Sequence, residues 1–122
     1  MSVSYFVRYE GPAENWDAFF CNYRDRHVPI IARFPGVRQI VLHTPIPGHD
    51  PFPVLSDRFM LLVQMVFNTQ EDLEAALKSE ARAEARQHFA TFPPYHGGVY
   101  HQAVSSEEVY RIESPGRSSG GR

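Results

Sequence analysis

The sequence alternates between two hydrophobic periods, and the order of these periods limits the possible folds more than any other feature. Residues 3–9 are β-branched or aromatic at most positions, which predicts a strand that ends at Gly11. Residues 15–34 instead place apolar side chains three and four positions apart, as in a helix with one buried face. Asn15 is its expected N-cap, because the side-chain oxygen can accept an unpaired backbone N–H.

Two further strands are predicted over residues 37–44 and 58–67. The second of them is apolar on both faces except at Gln64, which indicates a central position in the sheet. The proline-rich segment between the strands, residues 45–57, is longer than an ordinary hairpin connection. It is therefore a candidate lid, dimer arm or specificity loop, and a rigid surface loop without a chemical role is an equal alternative.

The last part of the chain predicts a second helix followed by a fourth strand. The helix begins at residues 68–72 with capping and acidic side chains. Its composition leaves open whether it breaks near Ser79 or continues to about Phe89, since alanine, arginine and glutamate all favour helix. A strand over 99–104 follows, with a possible extension near 109–111.

The resulting order, β-α-β-β-α-β, is that of an α+β ferredoxin-like sandwich. The chain of 122 residues has room for one domain, expected over residues 1–113. The remaining residues, 114–122, have nothing to bury and are expected to be disordered. Both helices fall on one face of the sheet, so a second copy of the chain can cover the other face.

Charge and motif content exclude several classes of function. A net charge of −2 and a pI near 6.3 give no basic surface for nucleic acid, and no apolar run is long enough to span a membrane. The single cysteine, Cys21, and the absence of a leader-like start favour a cytoplasmic protein. The histidines form no metal-binding pattern and there is no phosphate-binding glycine motif, so no metal or cofactor is expected.

His27 is the residue most informative about function. It lies in the centre of the apolar stripe of the first helix, so its imidazole should be buried against the sheet and stay neutral. Pro29 follows two residues later and should distort the helix beside it, because proline has no backbone N–H. A histidine in this position is either a satisfied core residue or a base facing a pocket.

A resemblance to a known family favours the pocket. Residues 20–37 read FCNYRDRHVPIIARFPGV, which resembles the hallmark of the EthD-like family: a tyrosine, then His-x-Pro-aliphatic, then Pro-Gly leading into the second strand. The opening residues 5–12 and the segment 65–68 are also similar to that family. The resemblance covers roughly residues 3–104 and is carried mainly by the block from His27 to Gly36.

The resemblance implies a dimeric α/β barrel, in which two ferredoxin-like units pack sheet to sheet and each has a pocket between its sheet and helices. Relatives include muconolactone methylisomerases and cofactor-free enzymes of aromatic polyketides, and the methylisomerases have a proton-transferring histidine at the position of His27. Their tyrosine corresponds here to the aliphatic Ile40, and their strand cysteine has no counterpart. The resemblance therefore indicates where a site lies rather than which reaction it performs.

Three further residues are expected to bind substrate beside a catalytic His27: Tyr23, one turn earlier; Gln64, the polar residue of the third strand; and His101, on the face of the last strand shared with Val99. Each also has an ordinary structural interpretation.

Three more polar residues are weaker candidates. Arg38 and His43 fall on opposite faces of the second strand, so at most one of them can face the pocket. His88, at the edge of the apolar face of the second helix, is the weakest.

Three hypotheses for function remain open on the sequence. The first is a cofactor-independent isomerase, lyase or oxygenase acting on a small hydrophobic or aromatic metabolite, with His27 as acid and base. The second is a non-catalytic accessory protein that binds such a metabolite. The third is a homodimer that fills the pocket with its own side chains.

Overall fold

The computed structural model describes residues 1–114 and shows one four-stranded antiparallel sheet. The strands lie in the order β2-β3-β1-β4. Their bounds are β1 (Ser2–Tyr9), β2 (Val37–His43), β3 (Leu61–Phe67) and β4 (Val99–Ser106). The α+β split βαβ arrangement is confirmed, and so is the central position of the third strand.

Strand register separates the two faces of the sheet. Val7 pairs with Val63 and Tyr9 with Leu61, and all four side chains are buried against the helices. The residues between them point to the opposite face, because successive side chains alternate along a strand. That face carries the paired Phe6 and Gln64, which are only partly buried.

The first helix consists of three continuous parts: α1 (Trp16–Asn22), a five-residue π turn (Tyr23–His27) and α2 (Val28–Ile31). Asn15 caps it as predicted, because Oδ1 accepts the N–H of Ala18 at 3.0 Å. In the π turn the N–H of Val28 reaches back to the carbonyl of Tyr23. Pro29 then falls in the first turn of α2, where a missing N–H costs little. The expected distortion beside His27 is confirmed.

The π turn keeps one face of this helix aligned. Phe19, Tyr23, His27 and Ile31 are four residues apart, and all four are buried. In a regular α-helix each step of four residues rotates the side chain by about 40°, so three steps would turn it by about 120°. The wider π turn takes up much of that rotation, so Ile31 stays on the side of the helix that holds Phe19.

The second helical region breaks, which answers the question that the sequence left open. α3 (Gln70–Leu77) and α4 (Glu80–Phe89) are separated at Ser79. Ser79 Oγ donates to the carbonyl of Ala76 at 2.7 Å and accepts the N–H of Arg82 at 3.2 Å. One hydroxyl therefore ends α3 and begins α4.

The strand ends differ from the sequence prediction in two places. β3 begins at Leu61 rather than at residue 58, because the connection from β2 stays without helix or strand through Met60. The suggested extension near 109–111 is wrong, since residues 107–114 form neither helix nor strand. The expected disordered tail falls almost entirely outside the described residues.

The proline-rich segment is a surface loop in one copy of the chain. Ile46 and Phe52 are 77% and 78% exposed, although both are apolar. Among the described residues, none of the helices combines the length and the apolar content needed to cross a bilayer.

We predict that Ser79→Ala lowers the free energy of unfolding by about 1 kcal/mol, because α4 loses its N-cap acceptor. Urea denaturation should show a lower midpoint with an unchanged slope. Ser56→Ala is the matched control, since Ser56 is exposed in the loop and should leave the midpoint unchanged. Equal midpoints for the two variants would contradict the capping role.

Candidate functional site

A cavity of about 520 Å³ lies between the helices and the covered face of the sheet. Its lining divides into two ends with different chemistry. The deep end is formed by buried side chains, which are Tyr23, His27, Ile31, Phe34 and Met65. The mouth lies between α4 and the edge strand β4, and its side chains are more exposed: Arg82, Arg86, Phe89 and His101.

His27 closes the deep end and is paired with a second histidine. The ring is 5% exposed, and its Nδ1 lies 2.9 Å from Nδ1 of His88, which projects from α4. One of these nitrogens carries the shared proton and the other accepts it. Within residues 1–114 no protein group hydrogen-bonds to Nε2 of His27, so this nitrogen is open to a bound molecule.

The surroundings of His27 keep it neutral. Burial is the main cause that lowers the pKa of His27 from 6.5 to about 4, and the electrostatic effect of His88 contributes in the same direction. A neutral imidazole has one nitrogen that can accept a proton at pH 7. His27 therefore has the protonation state of a base at neutral pH.

Aromatic rings hold the imidazole in place. The ring of Phe92 meets His27 edge-on, with centroids 4.8 Å apart, and the ring of Tyr23 lies at the same distance on a tilted plane. Burial raises the pKa of the Tyr23 phenol well above its ordinary value. Tyr23 therefore keeps its proton and can act as a hydrogen-bond donor at the deep end of the cavity.

His101 lies at the mouth, on the cavity side of β4 as the sequence alternation indicates. Its Nδ1 is 3.1 Å from the hydroxyl of Tyr5 on the neighbouring strand. Burial lowers the pKa of His101, and the positive charge of Arg82 lowers it further. The guanidinium of Arg82 is therefore close enough to His101 to make the electrostatic potential at the mouth more positive.

The structure does not bring Gln64 into the cavity. Gln64 lies on the opposite face of the sheet, where its Oε1 is 2.9 Å from Nε2 of His43 and its Nε2 donates to Ser4 Oγ at 3.1 Å. The expected position beside His27 is therefore corrected: the amide is satisfied within the sheet face that the helices leave open. Neither His43 nor Arg38 lines the cavity.

Four residues of the site are missed or underrated on the sequence: Arg82, Arg86, His88 and Phe92. The first three share α4, and their direction depends on where that helix begins. The capping pattern at Ser79 is the sequence signal that could have shown where α4 begins, and therefore which way these side chains point. Phe92 follows the helix in a segment without a regular period, so no sequence signal places it.

Metal ligation is not supported by the arrangement of the side chains. Over residues 1–114, no three His, Cys, Asp or Glu side chains come together in a way that could hold a metal ion.

The fold and the cavity define a class: an α+β protein of the ferredoxin-like type with a cavity between the sheet and the helices. The model of the EthD domain matches residues 11–92. The chain belongs to the EthD family, and this family assignment confirms the resemblance carried by the block around His27.

Several solved structures share the fold of this chain. An EthD family protein from Bacillus halodurans C-125 is 20% identical with a TM-score of 0.71, over 88% of this chain and 100% of that chain. SnoaB, a cofactor-independent oxygenase from Streptomyces nogalater, is 13% identical with a TM-score of 0.58, over 88% and 95%. A dimeric ferredoxin-like protein of unknown function from Thermobifida fusca is 8% identical with a TM-score of 0.60, over 87% and 92%. No curated protein matches the sequence.

We predict that His27 makes the fold sensitive to acid. An unfolded histidine binds a proton near pH 6.5, whereas folded His27 does so only near pH 4, so between these values the unfolded state holds more protons. The free energy of unfolding should therefore fall as the pH drops from 6.5 to 4, by roughly 2–3 kcal/mol from this group.

Urea denaturation at pH 7 and pH 4.5 checks this pH dependence. His27→Gln should lose less stability on acidification than the unmodified protein. His49→Gln changes an exposed histidine of the proline-rich loop and should behave like the unmodified protein. The same acid sensitivity in His27→Gln as in the unmodified protein would refute the assignment.

Proposed function

We propose that this EthD protein is a cofactor-independent enzyme that removes a proton from a small hydrophobic or aromatic molecule, with His27 as the base. The observation that carries the proposal is the neutral imidazole at the deep end of the cavity, with Nδ1 held by His88 and Nε2 open to a ligand. Isomerase, lyase and cofactor-free oxygenase reactions can all begin with removal of a proton next to a carbonyl group.

The His27–His88 pair provides the tautomer that such a base needs. When Nδ1 of His27 donates to Nδ1 of His88, the lone pair of Nε2 points away from that bond and can accept a proton. On protonation His27 becomes an imidazolium whose Nδ1–H can still donate to Nδ1 of His88. His88 thereby orients the ring and keeps a hydrogen bond on it throughout the transfer.

Tyr23 is the group we assign to the developing oxyanion. It lines the same end of the cavity as His27, and its raised pKa keeps the phenol protonated. A hydrogen bond from a fixed donor in an apolar site stabilises the charge that forms on a carbonyl oxygen during proton removal. His101, at the mouth, would contact the part of the ligand furthest from His27.

Two further properties belong to this proposal. The chain forms a homodimer through the sheet face that the helices leave open, as its dimeric structural neighbours suggest. The protein works in the cytoplasm, where its exposed free thiol at Cys21 would stay reduced. The cavity itself counts against a purely structural role, because the side chains of residues 1–114 leave this space unfilled.

We predict that His27→Gln abolishes proton transfer and leaves the fold and the oligomeric state intact. Incubation of candidate lactones, enones and phenols in D₂O, followed by mass spectrometry, should show deuterium uptake with the unmodified protein and at least 10²-fold less with the variant. His49→Gln should exchange normally, since this histidine is exposed and does not line the cavity.

The pH profile of this exchange should have its acid limb near pH 4, where His27 takes up a proton. His88→Gln should move this limb to higher pH, since the charge that opposes protonation of His27 is removed. Normal exchange by His27→Gln would sink the proposal. Tight ligand binding without any exchange would favour the alternative, an accessory protein that binds a hydrophobic metabolite.

A further inference from the structure

The mouth of the cavity carries two arginines that have no ionic partner in the described part of the chain. Arg82 and Arg86 both line the cavity and are one turn apart on α4, on the side that also presents Ala85 and Phe89 to it. All the ion pairs formed within residues 1–114 use other basic side chains.

The acidic side chains of α4 point elsewhere. With about 100° of rotation per residue, Glu80 and Glu84 fall on the other half of the helix from Arg82 and Arg86. Glu84 pairs there with Arg33, in the turn that follows α2, with 2.6 Å between Nη2 and Oε1. The arrangement leaves the two guanidinium groups unneutralised on the cavity side.

Among residues 1–114, no acidic side chain lines the cavity to balance these charges. The deep end, in contrast, disfavours charge, since burial holds even His27 in its neutral form. The cavity is therefore polarised along its length, with a cationic mouth and a neutral, aromatic end. A ligand with one charged and one apolar end would fit it in a single orientation.

We propose that the cavity takes an aromatic or alicyclic carboxylate, whose carboxylate group is bound by Arg82 and Arg86 at the mouth while the ring reaches His27. The planar guanidinium offers parallel N–H donors that match the two oxygens of a carboxylate. This inference rests on the proposed function and adds the chemical class of the substrate: the charge serves for binding and orientation, and the proton is removed at the uncharged end.

Isothermal titration with a matched pair of probes tests the proposal. The probes are 2-naphthoate and its neutral analogue 2-naphthamide, which have the same ring and nearly the same shape. The full chain should bind the carboxylate about tenfold more tightly than the amide, and added salt should reduce this difference.

Substitution of each arginine tests whether Arg82 and Arg86 bind the carboxylate. Arg82→Gln and Arg86→Gln should each weaken 2-naphthoate binding by about tenfold and leave 2-naphthamide binding unchanged, because only the charged interaction is lost. Arg58→Gln removes an exposed arginine that follows the proline-rich loop and does not line the cavity, and it should change neither affinity. Circular dichroism of each variant confirms that the fold is retained.

The outcomes distinguish this inference from the proposed function. Equal affinity for the two probes, an equal loss of both in the arginine variants, or no binding of either probe would overturn the carboxylate proposal. None of these results bears on deuterium exchange by His27. Conversely, arginine-dependent carboxylate binding without exchange of any bound carboxylate would support the cavity's ligand class and overturn the enzymatic role.

Discussion

Pro29 has no backbone N–H, and the first helix changes its hydrogen-bonding pattern just before it. The π turn that results holds Tyr23 and His27 on the same side as Phe19 and Ile31, although a regular helix would have rotated them apart. π turns inside α-helices are often found at functional sites, since they redirect side chains at a small local cost. The position of the candidate base therefore depends on the loss of one hydrogen-bond donor.

Ser79 has a comparable effect on the other wall of the cavity. Its hydroxyl ends α3 and starts α4, which sets the rotation of every side chain along α4. That rotation brings His88 onto His27 and turns Arg82 and Arg86 towards the mouth. The site is thus assembled from two helices, each with its direction determined by one local backbone feature, and the sheet provides the floor.

The order of the elements, the distorted helix and the burial of His27 could all be predicted, because they depend on local patterns and on proline chemistry. The face occupied by Gln64 could not, since β3 is apolar on both sides and alternation alone does not tell which side meets the helices. The contact of His88 with His27 could not be predicted for a different reason. The sequence leaves the start of α4 uncertain, so it does not determine which way the His88 side chain points. Contacts that join distant segments, such as Phe92 against His27, have no signal in a single sequence.

The two ends of the cavity rest on parts of the sheet with different freedom to change. The deep end lies over β1 and β3, which are paired on both sides, whereas the mouth borders β4, which pairs with β1 alone. An edge strand can bend or accept new side chains with less effect on the core than a central strand. Substitutions at α4 and β4 are therefore expected to reshape the mouth with less effect on the geometry around His27.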